Sequence, residues 1–175
     1  MGLVPFETVV AAHHAEIYRY LLRITWRSSD ADDLSQETFL RAYRAWDALD
    51  AGANVRAWLF TIATNLARNY FRSEGRRRRA YAGVGDARTD VDPASPEDAR
   101  RFHETRVLVE RVVDGLPLKQ RVAFVLRKLH DLEYEAIGRS LECSPESARA
   151  HVFQALKKIR HGLNGHELPK MESVR

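Results

Sequence analysis

Apolar side chains recur at steps of three and four along most of the chain, a period that predicts helices rather than strands. The clearest stripe lies between Asn54 and Arg79: Trp58, Leu59, Ile62, Ala63, Leu66, Ala67, Tyr70 and Phe71. The other face carries Arg56, Thr61, Thr64, Asn65, Arg68, Asn69 and Arg72, with no acid among them. Arg76 to Arg79 extend the positive charge past Gly75. A helix with one apolar side and one side of arginine, asparagine and threonine suits a phosphate backbone and base edges. A solvated face followed by a loop of arginines has the same composition.

Before this stretch, Phe6 to Arg27 reads as a first helix with Phe6, Val9, Val10, His13, Ile17, Tyr20, Leu21 and Ile24 inward. His13 and His14 are adjacent, so they point apart and make a poor chelate; His13 fits a partly buried core position. A second helix starts within Asp30 to Asp33, with Asp30 or Asp32 as its cap. Leu34, Phe39, Leu40, Tyr43 and Trp46 form its apolar side, and Asp33, Gln36, Glu37, Arg41 and Arg44 its polar side. Mixed signs suit a protein partner better than DNA. The same spacing suits a solvated face with pairs such as Glu37 and Arg41. The turn from Asp47 to Ala53 is flanked by Trp46 and Trp58, which serve either as core or as a stacking surface for an unpaired base.

Residues 80–99 break the pattern. They hold Gly83, Gly85, Pro93, Pro96 and scattered acids, and read as a flexible linker. Fully extended, such a segment spans roughly 65 Å, the length of about twenty base pairs. Helical patterning resumes near Arg100, which divides the chain into a first domain over residues 1–79, the linker, a second domain over 100–165, and a tail over 166–175. The expected fold is therefore all-α, two small helical domains joined by a flexible linker.

In the second domain Phe102, Val107, Val109, Val112, Val113 and Leu116 form one apolar set, and Pro117 suits the first turn of the helix after it. Val122, Phe124, Val125, Leu126 and Leu129 line that helix. Glu133 to Leu141 is a short helix with Ala136, Ile137 and Leu141 inward. After Glu142 and Cys143 comes a second start signal, Ser144 as N-cap and Pro145 behind it. The last helix runs to about His161, burying Ala148, Val152, Ala155, Leu156 and Ile159, and Gly162 and Gly165 end it. Two short helices across a tight turn, the second basic, match a helix-turn-helix, and also a plain helical hairpin. On the second helix Glu146, Ser147, Arg149, Ala150, Phe153 and Gln154 lie in the exposed or semi-exposed part; Arg149 suits a guanine edge, Gln154 an adenine edge or a phosphate, and Lys157 and Lys158 suit phosphates.

Charge and composition narrow the classes. The net charge is only +4, but Arg68 to Arg79 holds six arginines and one acid, so the positive charge is banded on one surface. No apolar run approaches a membrane span, and the N-terminus carries no export signal, which predicts a cytoplasmic protein. The single cysteine, Cys143, permits no internal disulfide and no cysteine-based zinc site. There is no HExxH pair, glycine-rich phosphate loop or nucleophile constellation, so neither enzyme chemistry nor a metal or cofactor is expected.

Taken together, the motifs resemble a known family. Asp32 to Tyr43, DDLSQETFLRAY, resembles region 2.2 of bacterial sigma-70-type factors. Asn54 to Arg68, NVRAWLFTIATNLAR, resembles regions 2.3 and 2.4, and Leu116 to Arg121 and Tyr134 to Gly138 resemble region 4. The lack of a long middle domain resembles the compact extracytoplasmic-function group. The resemblance implies that Asp33, Gln36 and Glu37 dock on the clamp helices of the largest RNA polymerase subunit. It places Asn54, Arg56, Trp58, Asn65, Arg68 and Arg72 near the −10 promoter element, captured single-stranded. It places Ser147, Arg149, Ala150, Phe153, Gln154, Lys157 and Lys158 near the −35 element, with region 4 also touching the polymerase flap. Members are commonly held inactive by an anti-sigma protein. The chain departs from the family at Glu142, often glycine, at Arg149, often lysine, and at His151 and Gln154, often arginine. A stand-alone DNA-binding regulator and a sigma mimic that binds only an anti-sigma protein are the rival readings.

Overall fold

The computed structural model describes residues 4–80 and 107–163. Its helices are α1 (Phe6–Thr25), α2 (Ser28–Ala45), a 3-10 turn (Trp46–Ala48), α3 (Val55–Ala80), α4 (107–114), α5 (Leu118–Lys128), α6 (Tyr134–Leu141) and α7 (Pro145–Leu163). No strand occurs among the described residues. The linker beyond Ala80, Phe102 and the tail lie outside them.

The first helix ends at Thr25, short of Arg27, because Trp26 takes a left-handed conformation (φ 58°) and returns its N–H to the Leu22 carbonyl. α2 then starts at Ser28, ahead of the expected aspartate caps. Arg27 holds the N-cap position with no side-chain cap, and Asp30 instead accepts a hydrogen bond from the Tyr70 hydroxyl at 2.6 Å. That bond ties α2 to α3.

Ile17, Tyr20, Leu21 and Ile24 of α1 meet Leu59, Phe60, Ala63 and Ala67 of α3 in the core. The inward face of α2 is built from small residues, Ala31, Ser35, Thr38 and Ala42, together with Phe39. Leu40 and Tyr43, expected inside, are 44% and 62% exposed. Small residues let α2 approach α1 closely, and this rotates the larger side chains outward. Thr64 also departs from expectation. It is fully buried, and its hydroxyl bonds the Tyr20 hydroxyl at 2.7 Å, so each satisfies the other inside the core. α3 continues through Gly75 instead of yielding to a loop; one glycine inside a long helix costs only about 1 kcal/mol.

In the second group Pro117 occupies the N-cap of α5 rather than its first turn. Leu129 and Leu156, expected inside, are exposed. Leu129 is the C-cap of α5, beyond its packed stripe. α7 passes through Gly162 to Leu163. A Cβ at Gly162 would stand 2.9 Å from Cγ2 of Val112, so this glycine permits close packing on α4 and does not end the helix.

The two groups are docked on one another, not held apart. α3 packs against α6 and α1 against α5, and one apolar core runs from Tyr20 and Phe60 to Leu126, Ile137 and Leu141. Arg121 anchors the junction. It is 8% exposed, donates to the carbonyls of Ile24 and Asp114 at 2.9 and 2.6 Å, and pairs with the Asp114 carboxylate at 3.2 Å.

Candidate nucleic-acid interface

α6, its turn and α7 form a helix-turn-helix whose geometry is set locally. Glu142 takes a left-handed conformation (φ 54°, ψ 51°), and Cys143 N–H returns to the Gly138 carbonyl at 2.9 Å. Ser144 caps α7 as expected, its Oγ accepting from the Ser147 N–H at 3.1 Å. Burial of Ala148, Val152 and Ala155 turns the opposite side of α7 outward. Ser147, Arg149, Ala150, Phe153, Gln154, Lys157 and Lys158 are all exposed. They share one open surface, and Phe153 is 67% exposed at its centre.

Two of these side chains are already steered. The Arg149 guanidinium lies 5.0 Å from the Tyr134 ring centre, and the Gln154 carbonyl accepts from Gln120 Nε2 at 2.7 Å. His151 lies in the same helix, half-buried. Burial, with Lys119 nearby, pushes its imidazole below the ordinary value, so it adds no charge at neutral pH.

On α3 the expected contact residues divide. The side-chain oxygen of Asn54 caps the helix, accepting from the Ala57 N–H at 3.0 Å. Trp58 is half-buried, its ring 6.3 Å from that of buried Trp46. Arg56, Thr61 and Arg68 face the second helical group. Arg56 Nε donates to Glu16 at 3.0 Å, and its Nη2 donates to the His130 carbonyl at 2.6 Å. Thr61 Oγ1 lies 3.0 Å from Ser140 Oγ, and Arg68 donates to Asn65 at 3.3 Å and to Glu142 at 3.1 Å. Among the described residues of α3, Asn69, Arg72, Ser73 and Arg76, further along, are exposed.

The α2 trio lies elsewhere. Asp33 and Gln36 are exposed, and Glu37 is half-buried and accepts from Arg41 at 2.6 Å, the pairing its spacing predicts. Leu40 and Tyr43 follow on successive turns, so this acidic surface continues into an exposed apolar one. Sequence periodicity assigned both residues to the core and missed that extension.

Periodicity also missed Glu16 and His130. The Glu16 carboxylate accepts from His130 Nδ1 at 3.1 Å as well as from Arg56. Burial opposes its charge, but the hydrogen bonds from Arg56 and His130 outweigh that and hold the carboxyl below its usual range. Burial pushes His130 below its ordinary 6.5, against the pull of Glu16. Tyr20, Arg19, Arg23 and Arg56 also surround it. Both shifts fit an ionised Glu16 and a neutral imidazole donating from Nδ1. His130 thus stabilises the fold fully above pH 6.5, and this contribution is lost as pH falls through its lowered value; the Glu16 contribution is lost only below 4.5. The thermal midpoint is expected to fall from about pH 7 to about pH 5.5, and less steeply in H130Q. Equal slopes in melting curves of the two proteins would contradict this.

Among the described residues no group of three or more His, Cys, Asp or Glu is placed to hold a metal ion, and no helix is long and apolar enough to cross a membrane.

Comparison with known proteins agrees with this layout. The family described as Sigma-70 region 2 matches residues 9–77, and that described as Sigma-70, region 4 matches residues 106–159. An ECF RNA polymerase sigma-E factor of Salmonella typhimurium is 33% identical over 141 residues, covering 75% of this chain and 73% of that protein. An RNA polymerase sigma-H factor of Pseudomonas aeruginosa is 30% identical over 167 residues, covering 90% and 86%. In fold, the chain is similar to the sigma factor RpoE of Bartonella quintana, crystallised with the anti-sigma factor NepR. The TM-score is 0.76 at 22% identity, over 91% of this chain and 96% of that one.

Proposed function

Given that the chain belongs to the extracytoplasmic-function group of sigma-70 RNA polymerase sigma factors, we propose how its own residues divide the work of promoter recognition. A sigma factor directs core RNA polymerase to promoters, with region 2 serving the −10 element and region 4 the −35 element. It makes and breaks no bonds itself.

The −35 element is read by the exposed side of α7. Arg149 reaches a base edge from its place over Tyr134, Phe153 and Ala150 supply apolar contact, Ser147 and Gln154 add polar contact, and Lys157 and Lys158 hold phosphates. The observation that carries this reading is the joint exposure of all seven side chains on a helix-turn-helix helix. The −10 strand is held by α3 through Arg56, Asn65, Arg68 and Arg72, with Asn54 and Trp58 shaping the start of that surface. Asp33, Gln36 and Glu37, extended by Leu40 and Tyr43, form the docking face for core polymerase. An anti-sigma protein is proposed as a further partner, by analogy with the complex of similar fold.

Run-off transcription with bacterial core polymerase over a genomic promoter library tests the reading. Transcripts that appear only with this protein and share paired upstream elements are expected. R149A is expected to change which −35 sequences are used, while K157A weakens binding to many sequences alike. A double D33A/E37A change is expected to weaken core binding by about tenfold, roughly 1.4 kcal/mol, without lowering helicity. Unchanged core affinity would remove α2 from the docking role.

A further inference from the structure

We propose that Tyr134 is a positioning residue for promoter reading: its ring presets the Arg149 guanidinium while leaving the N–H donors free, so that this arginine discriminates bases instead of settling on a phosphate. The proposal rests on Arg149 being a −35 base contact.

Tyr134 is the first residue of α6, and its half-buried ring packs on the shared core. Two guanidiniums lie against that ring, Arg127 from the end of α5 at 4.9 Å from its centre and Arg149 from α7 at 5.0 Å. They are held differently. Arg127 donates to the Leu132 carbonyl at 3.0 Å and to the Glu133 carboxylate at 3.3 Å, so hydrogen bonds fix it and Glu133 offsets its charge. Arg149 is exposed and, among the described residues, has neither a hydrogen bond nor an ion pair. The nearby acid, Glu146, is engaged by Ser144 and by its own backbone N–H. The ring is therefore the anchor of Arg149.

A cation over an aromatic face is attracted by the ring quadrupole, which takes up no N–H donor. A carboxylate or carbonyl partner would instead occupy the fork that a guanine edge needs. Gln154 shows the contrast, since its carbonyl already accepts from Gln120. An unanchored arginine on an exposed helix can swing to the nearest phosphate, where it adds affinity to every sequence alike. Anchoring on Tyr134 opposes that swing. It also reduces the rotamer freedom that is lost when the bidentate contact forms. Because the anchor belongs to α6 and the arginine to α7, the reading position is defined by both helices of the helix-turn-helix.

The test uses full-length protein assembled with core polymerase. Binding is measured to promoter duplexes that carry single changes in the −35 element of the promoter found by run-off transcription. Y134L is expected to lower discrimination at the base read by Arg149 by about two- to fivefold, the range of an exposed cation–ring contact. The slope of log affinity against log salt should steepen by up to about 0.9 as Arg149 turns to a phosphate. Y134F keeps the ring and should retain the discrimination and the slope of the parent. In an R149A background, Y134L should change neither. Y134M takes the place of Y134L if the latter melts below the assay temperature. Unchanged discrimination in Y134L, with R149A still shifting −35 preference, would overturn the proposal and leave Arg149 as a base contact. Equal losses on all sequences, repeated in the R149A background, would make Tyr134 a support of the fold alone and overturn it too. A loss in Y134F as large as in Y134L would assign the effect to the hydroxyl and overturn the role of the ring. An R149A protein with unchanged −35 preference would remove Arg149 from base reading, and the proposal with it.

Discussion

Replacing Phe60 by alanine is expected to destabilise the protein by about 3–5 kcal/mol, among the largest effects of any single truncation in this core. Phe60 is fully buried and lies where both helical groups meet. Its ring stands edge-on to Tyr20 at 5.3 Å and 4.9 Å from the His130 ring, and the Arg56 guanidinium lies 5.3 Å away. Truncation removes the transfer energy of the ring and leaves a cavity walled by helices that cannot all collapse into it. For a chain of this size each kcal/mol moves the thermal midpoint by about 2–4 °C, so F60A should melt roughly 6–20 °C lower. F60L, which keeps most of the volume, should lose less than about 1.5 kcal/mol. Thermal unfolding followed by circular dichroism separates the two. An F60A midpoint within a degree of the parent would show that Phe60 does not hold the junction.

The second large effect is expected at Gly138. A Cβ built there would stand 2.7 Å from the Cys143 carbonyl oxygen and 3.3 Å from the Ser144 carbonyl carbon. Both are backbone atoms of the turn, so neither can swing aside as a flexible side chain would. G138A must push the turn away from α6, at a cost of about 1–3 kcal/mol, and α7 moves with it. Because the proposed −35 contacts sit on α7, a shift that removes even about 1.4 kcal/mol of contact is tenfold in affinity. Duplex −35 binding should therefore drop about tenfold or more while core-polymerase binding, proposed to run through α2, persists. Gly75 is the matched control. A Cβ there meets nothing within 4 Å inside α3, so G75A should stabilise by up to about 1 kcal/mol. Opposite signs at two helical glycines would separate tight packing from helix propensity; a tolerated G138A would mean the turn yields more easily than its geometry indicates.

Helix period reveals which residues are helical but not how far each helix is rotated about its axis. That is why the helices, the Ser144 cap and the Glu37–Arg41 pair were legible, while Leu40, Tyr43, Leu129 and Leu156 were placed inside and lie outside. Rotation is set by neighbours, and on α2 the small residues Ala31, Ser35, Thr38 and Ala42 decide it. Thr64 carried the opposite error, since a threonine reads as polar until Tyr20 is placed beside it. The basic helix-turn-helix surface was legible because its signals are local: a cap, a proline and a run of cations within one helix. The covering of α3 left no such trace. Arg68 and Glu142 are separated by 74 residues and Glu16 and His130 by 114, and no periodicity connects positions that far apart. Asn54 shows a third kind of limit, for one residue type serves a helix cap and a base edge equally well, and here its oxygen is the cap.

The separation between Glu16 and His130 has a consequence for chain-closure entropy. Bringing two distant positions together costs an amount that grows only with the logarithm of the chain between them, about 0.6 kcal/mol for each doubling. The docked arrangement is thus nearly indifferent to how many residues join α3 to α4. It depends strongly on their being joined at all, because cutting the chain turns a concentration-independent closure into a bimolecular encounter. Drift in connector length leaves the balance between the closed and separated forms almost untouched, whereas a single nick makes that balance a function of dilution.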